Sequence, residues 1–202
     1  MSRLNEGNNK PTDSNLVKQR YEKVKEFLYA AEDFDEDRKE GLKNLFEYLE
    51  KLEWDQAYCS TRYHGNYEGG LLDHSINVAN LMLKLHNTLC PDLSAASAVL
   101  VGLLHDCGKV RMYYRQPATP RQEQFGYLGT IVVDAEQPYY AHEQKSLQII
   151  SRFIKLTTEE WTAIATHNEP WLTNTCQFQR APLMTLLQYA DYWACLYMDA
   201  TV

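Results

Sequence analysis

At 202 residues, 45% hydrophobic and 23% charged, the chain is long enough for one domain with a real core and has the composition of a globular protein. Its net charge of −7 argues against a general nucleic-acid or anionic-membrane surface, though not against a small nucleotide held at a metal site. No apolar run approaches the roughly 20 residues of a membrane helix, and the polar start lacks the apolar stretch of a signal peptide, so a cytoplasmic protein without membrane contact is expected. The five cysteines, Cys59, Cys90, Cys107, Cys176 and Cys195, are odd in number and show no CxxC spacing. That sets aside a disulfide framework and a thiolate zinc site, and points to reduced, mostly buried thiols.

Residues 1–14 are polar, with Asn, Gly and Pro, and read as a disordered lead-in. Residues 15–57 read as helices packed on a domain that fills 58–202. The first helix spans 16–31; the acidic cluster at 32–37 breaks it and opens a second helix over 36–52. Both have one charged face, as a solvated outer layer would.

Residues 60–70 read as a loop leading into a helix over 71–87. On that helix His74, Val78, Leu81 and Leu85 share one face, so His74 points inward. Cys90-Pro91-Asp92 ends it, and Ser94 caps the next helix, 94–107. This one is apolar nearly all round, as the central helix of a bundle should be, and Gly108 stops it. Residues 110–140 hold Pro117, Pro120, Gly126 and Gly129, then the β-branched Thr130-Ile131-Val132-Val133, and read as an irregular excursion with a short hairpin. Its aromatics Tyr113, Tyr114, Phe125, Tyr127, Tyr139 and Tyr140 suit a lid or pocket wall, or simply pin the loop down.

Helix resumes over 141–155, with His142, Ile149 and Phe153 on one face. Thr157 and Glu160 have capping-box spacing, and the helix they open runs to His167, before Pro170. Pro182 starts the last helix, on which Met184, Leu187, Asp191, Ala194 and Met198 share a face. The fold class is all-α: a helical bundle of six or seven helices with a short β-hairpin excursion.

The chemistry lies in what the apolar faces carry. His105-Asp106 closes an apolar run that starts near Ala95, and His74, His142, His167 and Asp191 also face inward. One such histidine is ordinarily a satisfied core residue. Six ionisable groups buried together call for a shared partner, because a buried unpaired charge is very costly. Imidazole and carboxylate suit zinc, iron, manganese or nickel. The carboxylate of a His-Asp pair can bridge two ions, and bound metal brings the pKa of water down to about 7, giving a nucleophile at neutral pH.

At these residues the chain resembles the HD-domain superfamily of metal-dependent phosphohydrolases. The pattern is His74, His105-Asp106, Asp191, in the local settings Gly69-Gly70-Leu71-Leu72-Asp73-His74-Ser75, Leu103-Leu104-His105-Asp106-Cys107-Gly108-Lys109 and Gln188-Tyr189-Ala190-Asp191. His142 and His167 match the two-metal subset. The loop Arg62-Tyr63-His64-Gly65 before Gly-Gly-Leu-Leu-x-His is similar to that of the HD domains of 3′-to-5′ exoribonucleases and relaxase-associated proteins. Two departures bear on substrate. No oligonucleotide-binding domain precedes the motif, which weakens a long-RNA substrate. Asn-Glu-Pro-Trp after His167 is not the Gly-Tyr-Pro signature of cyclic-dinucleotide phosphodiesterases.

The resemblance implies two divalent transition-metal ions (Mn, Fe, Ni or Zn), one on His74, His105, Asp106 and Asp191, the other on Asp106, His142 and His167. It implies that Lys109 meets a substrate phosphate and that His64 protonates a leaving oxygen or holds phosphate. Arg62, Arg111 and Arg115 are candidate phosphate clamps, and Glu143 a support for His142. The expected activity is hydrolysis of a phosphate ester of a nucleotide or short single-stranded oligonucleotide. The alternatives are a non-catalytic nucleotide-binding module and an HD-type di-iron oxygenase. The oligomeric state is left open.

Overall fold

In the computed structural model, which describes residues 13–127, 129–136, 141–169 and 181–198, the apolar stripes become α-helices arranged around one core. α1 (Ser14–Tyr29) starts at Asp13, whose carboxylate accepts from the Asn15 N–H. α2 (Glu36–Lys51) starts at Asp35, which accepts from the Arg38 N–H, with Glu36 and Asp37 favouring the positive end of the helix dipole. A 3-10 turn, Trp54–Gln56, precedes the loop to α3 (Gly70–Leu89). α4 (Ala95–Leu104) is capped by Ser94, as its sequence predicts. The remaining helices are α5 (Pro120–Glu123), α6 (His142–Ile150), α7 (Thr158–Thr166) and α8 (Pro182–Trp193), with a π-helical turn, Ala194–Met198, continuing α8.

The all-α reading holds: seven helices of nine residues or more and a single-turn helix stand among the described residues. The buried apolar side chains form one cluster from Val17 on α1 to Ala194 beyond α8. α1 and α2 contribute more than a solvated layer. Val17, Tyr21, Val24 and Leu28 are buried on one, and Leu42, Leu45, Phe46 and Leu49 on the other. Arg20 of α1 also reaches α3, donating to Asp73 at 2.9 Å and to Asn77, one residue from His74 and three beyond it.

One expectation about the centre of the bundle holds and one needs correction. The sequence pointed to the fourth helix as central, and α4 is buried on every side over 98–104 and packs against α1, α3, α7 and α8; α3 shares that place, buried on every side over its first ten residues. α4 ends at Leu104 rather than Cys107, with His105 as its cap and a 3-10 turn, Cys107–Lys109, after Asp106. Consecutive residues on an α-helix point about 100° apart. Leaving the helix at this point lets His105 and Asp106 face the same space. α6 likewise stops at Ile150, short of the expected 155, and the chain turns so that Phe153 O lies against Gly41 of α2.

The excursion contains the expected hairpin. β1 (Tyr113–Gln116) pairs antiparallel with β2 (Thr130–Val133), Tyr113 opposite Val133 and Gln116 opposite Thr130. Gly129 has φ +101, and a Cβ there would meet Gln116 O at 2.2 Å, so the hairpin closes only on glycine. The aromatics do not line up as a wall: Phe125 and Tyr127 are 74% and 65% exposed, and Tyr114 is also exposed. Tyr113 is the partly buried one. The lead-in at 1–12, Tyr139, Tyr140, Pro170, Trp171 and Cys176 lie outside the described residues.

Candidate metal centre

Five helices deliver six side chains to one place. His74 comes from the first turns of α3, His105 caps α4, and Asp106 follows it. His142 opens α6, His167 caps α7, and Asp191 sits on α8. His74, His105, Asp106 and His167 are buried; His142 and Asp191 are partly so. The structure brings these six side chains together.

Asp106 divides them into two halves. Its Oδ2 lies 3.5 Å from His74 Nε2 and 3.4 Å from His105 Nε2. Its Oδ1 lies 3.1 Å from His142 Nε2 and 3.5 Å from His167 Nε2. Asp191 Oδ1 completes the first half, 3.2 Å from His74 Nε2 and 3.7 Å from His105 Nε2.

The ring nitrogens show what is wanted between them. His105 Nδ1 is 2.9 Å from Gly102 O and His167 Nδ1 is 2.8 Å from Ile164 O. A carbonyl only accepts, so both rings carry a proton on Nδ1, and in the neutral form the Nε2 lone pair is free for a ligand. Yet Nε2 of His74 and His105 are 3.3 Å apart, and Nε2 of His142 and His167 3.4 Å apart. Nitrogens that close, aimed at the same point, suit a cation between them. Asp106 Oδ1 and Glu143 Oε2 are buried without a hydrogen-bond partner, both beside the second half. The residues therefore fit divalent metal, and groups such as His74, His105, Asp191 and His105, Asp106, His167 each place their ligand atoms within 4.8 Å of one another.

The electrostatics agree. Burial works against the charge on Asp106, but Lys109 and His105 outweigh it and hold the carboxyl well below the usual range. Asp191 is held low in the same way, by hydrogen bonds from His105 and His74 against its own burial. Burial disfavours a charged His105, but Asp106 and Asp191 win and push its imidazole up to about 9. Two ionised carboxylates among imidazoles make a pocket that holds positive charge.

Of the other sequence candidates, Lys109 and His64 come to the centre. Lys109 Nζ donates to Asp106 Oδ2 at 2.6 Å. The His64 ring packs against that of His74, 4.9 Å between centroids. Tyr113 of β1 is half-buried, and burial pushes its phenol up against the pull of Lys109. Arg115 is a step away, lying over Tyr58 with Nε 3.4 Å from the phenol oxygen. Arg62 is exposed and makes no contact with the cluster among the described residues. Arg111 lines a different cavity.

The structure adds residues that the sequence reading passed over. Cys195 Sγ lies 3.3 Å from His64 Nε2 and 3.4 Å from Asp191 Oδ1, linking the two. Cys59, His64 and His74 also form a compact group. Asn168 Nδ2 donates to Glu143 Oε1 at 2.8 Å and lies 2.8 Å from His142 Nε2. The signal for Cys195 was present, since it follows Asp191 by one helical turn. Asn168 had none, standing past a helix end. Ser146 fixes the turn after Asp106: its Oγ accepts from the Gly108 N–H at 2.8 Å. His86 is apart from all this, bonding Leu93 O at 2.8 Å at the end of α3.

A family model, the HD domain, matches residues 71–193. No curated protein and no solved structure matches the chain.

Proposed function

The chain belongs to the HD-domain family, typically a metal-dependent hydrolase domain, and from that premise we propose that it is a two-metal phosphohydrolase acting on a phosphate ester of a nucleotide or short oligonucleotide in the cytoplasm. One observation carries this reading: each oxygen of Asp106 faces its own pair of imidazole nitrogens. A one-ion site would have no use for the second pair. His74, His105, Asp106 and Asp191 would hold one ion; Asp106, His142 and His167 the other. Bound divalent metal supplies Lewis acidity toward phosphoryl oxygens and a water acidic enough to attack at neutral pH.

The chain's own side chains supply the rest. Lys109, a cation on the bridging carboxylate, stands where it can meet the charge that grows on a phosphoryl oxygen. His64, its ring against that of His74 and its Nε2 beside the Cys195 thiol, would supply the proton for the leaving oxygen. The Asp73 carboxylate anchors that loop by accepting from the Tyr67 hydroxyl at 2.7 Å. Asn168 donates to Glu143 Oε1 and so would hold that carboxylate beside His142 and His167. Arg115 is the arginine best placed for a flanking phosphate. A substrate small enough for this rim, rather than a long duplex, agrees with the net charge of −7. The branch of exoribonuclease and relaxase-associated HD domains rests on the His64 loop motif.

Elemental analysis of protein purified without chelator tests the reading, followed by an anaerobic assay of mononucleotides, dinucleotides, short single strands and long RNA. Two ions per chain and oxygen-independent release of phosphate or nucleotide from the small substrates are expected. Metal-free protein that stays inactive on reconstitution with each of the four metals would overturn it, as would a strict need for oxygen.

A further inference from the structure

The loop over 59–65 is built to present two side chains. The Cys59 N–H donates to Gly65 O at 3.0 Å and closes the loop at its base. Within it, Ser60 Oγ donates to His64 O at 2.8 Å and accepts from the Tyr63 N–H at 2.9 Å. Gly65 has φ +59, and a Cβ there would meet Cys59 Cβ at 2.6 Å and Gly70 O at 3.0 Å. The loop therefore lies hard against the start of α3, and it delivers His64 and the fully buried Cys59 to His74.

One ligand atom from each of Cys59, His64 and His74 lies within 4.8 Å of the other two. On a tetrahedral zinc ion, with Zn–S about 2.3 Å and Zn–N about 2.0–2.1 Å, neighbouring ligand atoms stand about 3.5 Å apart. Small side-chain shifts would close the three on one ion. A second thiol is at hand, Cys195 Sγ at 3.3 Å from His64 Nε2, already near that separation. Cys59 and His64 gain His74 only through packing on α3, so the absence of a CxxC pair does not exclude a thiolate site here.

His74 belongs to this group and to the first half of the metal centre. A neutral imidazole has one lone pair, so it serves one ion at a time. With His105, Asp106 and Asp191 it completes a set of two imidazoles and two carboxylates, which suits manganese or iron. With Cys59 and His64 it joins a thiolate, which selects ions of the zinc class.

We propose that Cys59, His64 and His74 form an alternative position for a soft divalent ion of the zinc class, filled at the expense of the ion in the first half. On binding, the Cys59 thiol releases its proton to solvent and its sulfur becomes the ligand. The identity of the ion then decides which partners His74 joins, and zinc inhibits an enzyme that works on manganese or iron. Only this last consequence rests on the two-metal hydrolase reading.

The test is titration of the full chain with cadmium, a stand-in for zinc whose bond to thiolate gives an ultraviolet charge-transfer band. Metal-free protein should give a band that saturates. Cys59→Ser should lose at least half of its amplitude. His64→Asn, at a half-buried position, should weaken the cadmium binding that gives the band roughly tenfold or more, as loss of one ligand. Cys90→Ser, at the far end of α3, should keep the whole band. Melting curves check each fold, and if Cys59→Ser melts early the His64 variant decides. In manganese-loaded protein the band should rise as manganese is released one for one, read from the paramagnetic resonance of the free ion. No band, a band that keeps more than half its amplitude in folded Cys59→Ser, binding indifferent to His64→Asn, or a band that rises with no manganese released would overturn the proposal. The band is read in metal-free protein without substrate, so it tests this position whether or not the chain hydrolyses phosphate esters.

Discussion

The two halves of the metal centre share Asp106 but are built differently. His74 and Asp191 project from within α3 and α8, and the His74 and His105 side chains are fully buried. His142 and His167 stand at the start of α6 and the end of α7, so neither ligand of this half lies inside a helix; each half has one partly exposed side chain, Asp191 at 16% and His142 at 17%. A ligand inside a helix is fixed by the turns on both sides of it. A ligand at a terminus depends on the loops beyond it. The half with two ligands inside helices and two fully buried imidazoles, the deep one, should therefore bind first and tightly, and the other, shallow half should exchange.

The largest expected effect removes what the halves share. Asp106→Ala should abolish both metal sites and activity, and cost about 3–5 kcal/mol, since Lys109 and four imidazoles lose their buried partner. Metal content and chemical denaturation measure it; an active, equally stable variant would sink the assignment.

Next comes the turn between the halves. A Cβ on Gly108 would lie 2.2 Å from His142 O and 2.5 Å from Ser146 N, both backbone atoms of α6. Gly108→Ala should push α6 outward and cost about 1–3 kcal/mol. The shallow ion should be lost before the deep one in a chelator titration. An unchanged order and melting point would show that the halves are not separable through this contact.

A smaller cut separates them chemically. His142→Ala or His167→Ala should reduce the metal from two ions to one, whereas His74→Ala should lose the ion from the deep half. If both shallow variants retain the full metal content, the division by Asp106 is wrong.

Protonation gives a subtler contrast. In the metal-free protein His105 is raised from 6.5 to about 9, against its burial, by Asp106 and Asp191. A raised histidine contributes stability that is complete below the unfolded value and lost as pH rises through the folded one. Metal-free protein should thus lose melting temperature between pH 6.5 and about 9, and metal-loaded protein should not. A flat metal-free profile across that window would contradict the charge assignment.

The smallest effect lies outside both halves. α5 has no buried residue, and the tip of the excursion around it is exposed. Deleting residues 118–124 should leave the melting point and metals unchanged while raising KM for the small substrate. A lower melting point with unchanged KM would make the tip a brace instead of a substrate contact.

What the sequence determined by itself was local. Apolar spacing placed His74 and Asp191 on inward faces, Ser94 and Thr157 marked helix starts, and β-branched residues marked β2. Those signals repeat within a few residues, so one chain carries them in full. The identity of the six converging side chains was legible for the same reason: each is a polar exception in an apolar stripe. Tertiary structure alone decided what crosses between elements. Which Asp106 oxygen meets which imidazoles, the early end of α4, and the burial of α3 beside it all depend on packing. So do Cys195 beside His64, Asn168 beside His142, and Arg111 in a cavity of its own. Arg111 shows the physical reason most plainly: it is two residues from Lys109, yet a left-handed backbone turns it into the other cavity. A backbone conformation at the exit of a turn is set by what the surrounding elements leave room for, which no periodicity in the chain encodes.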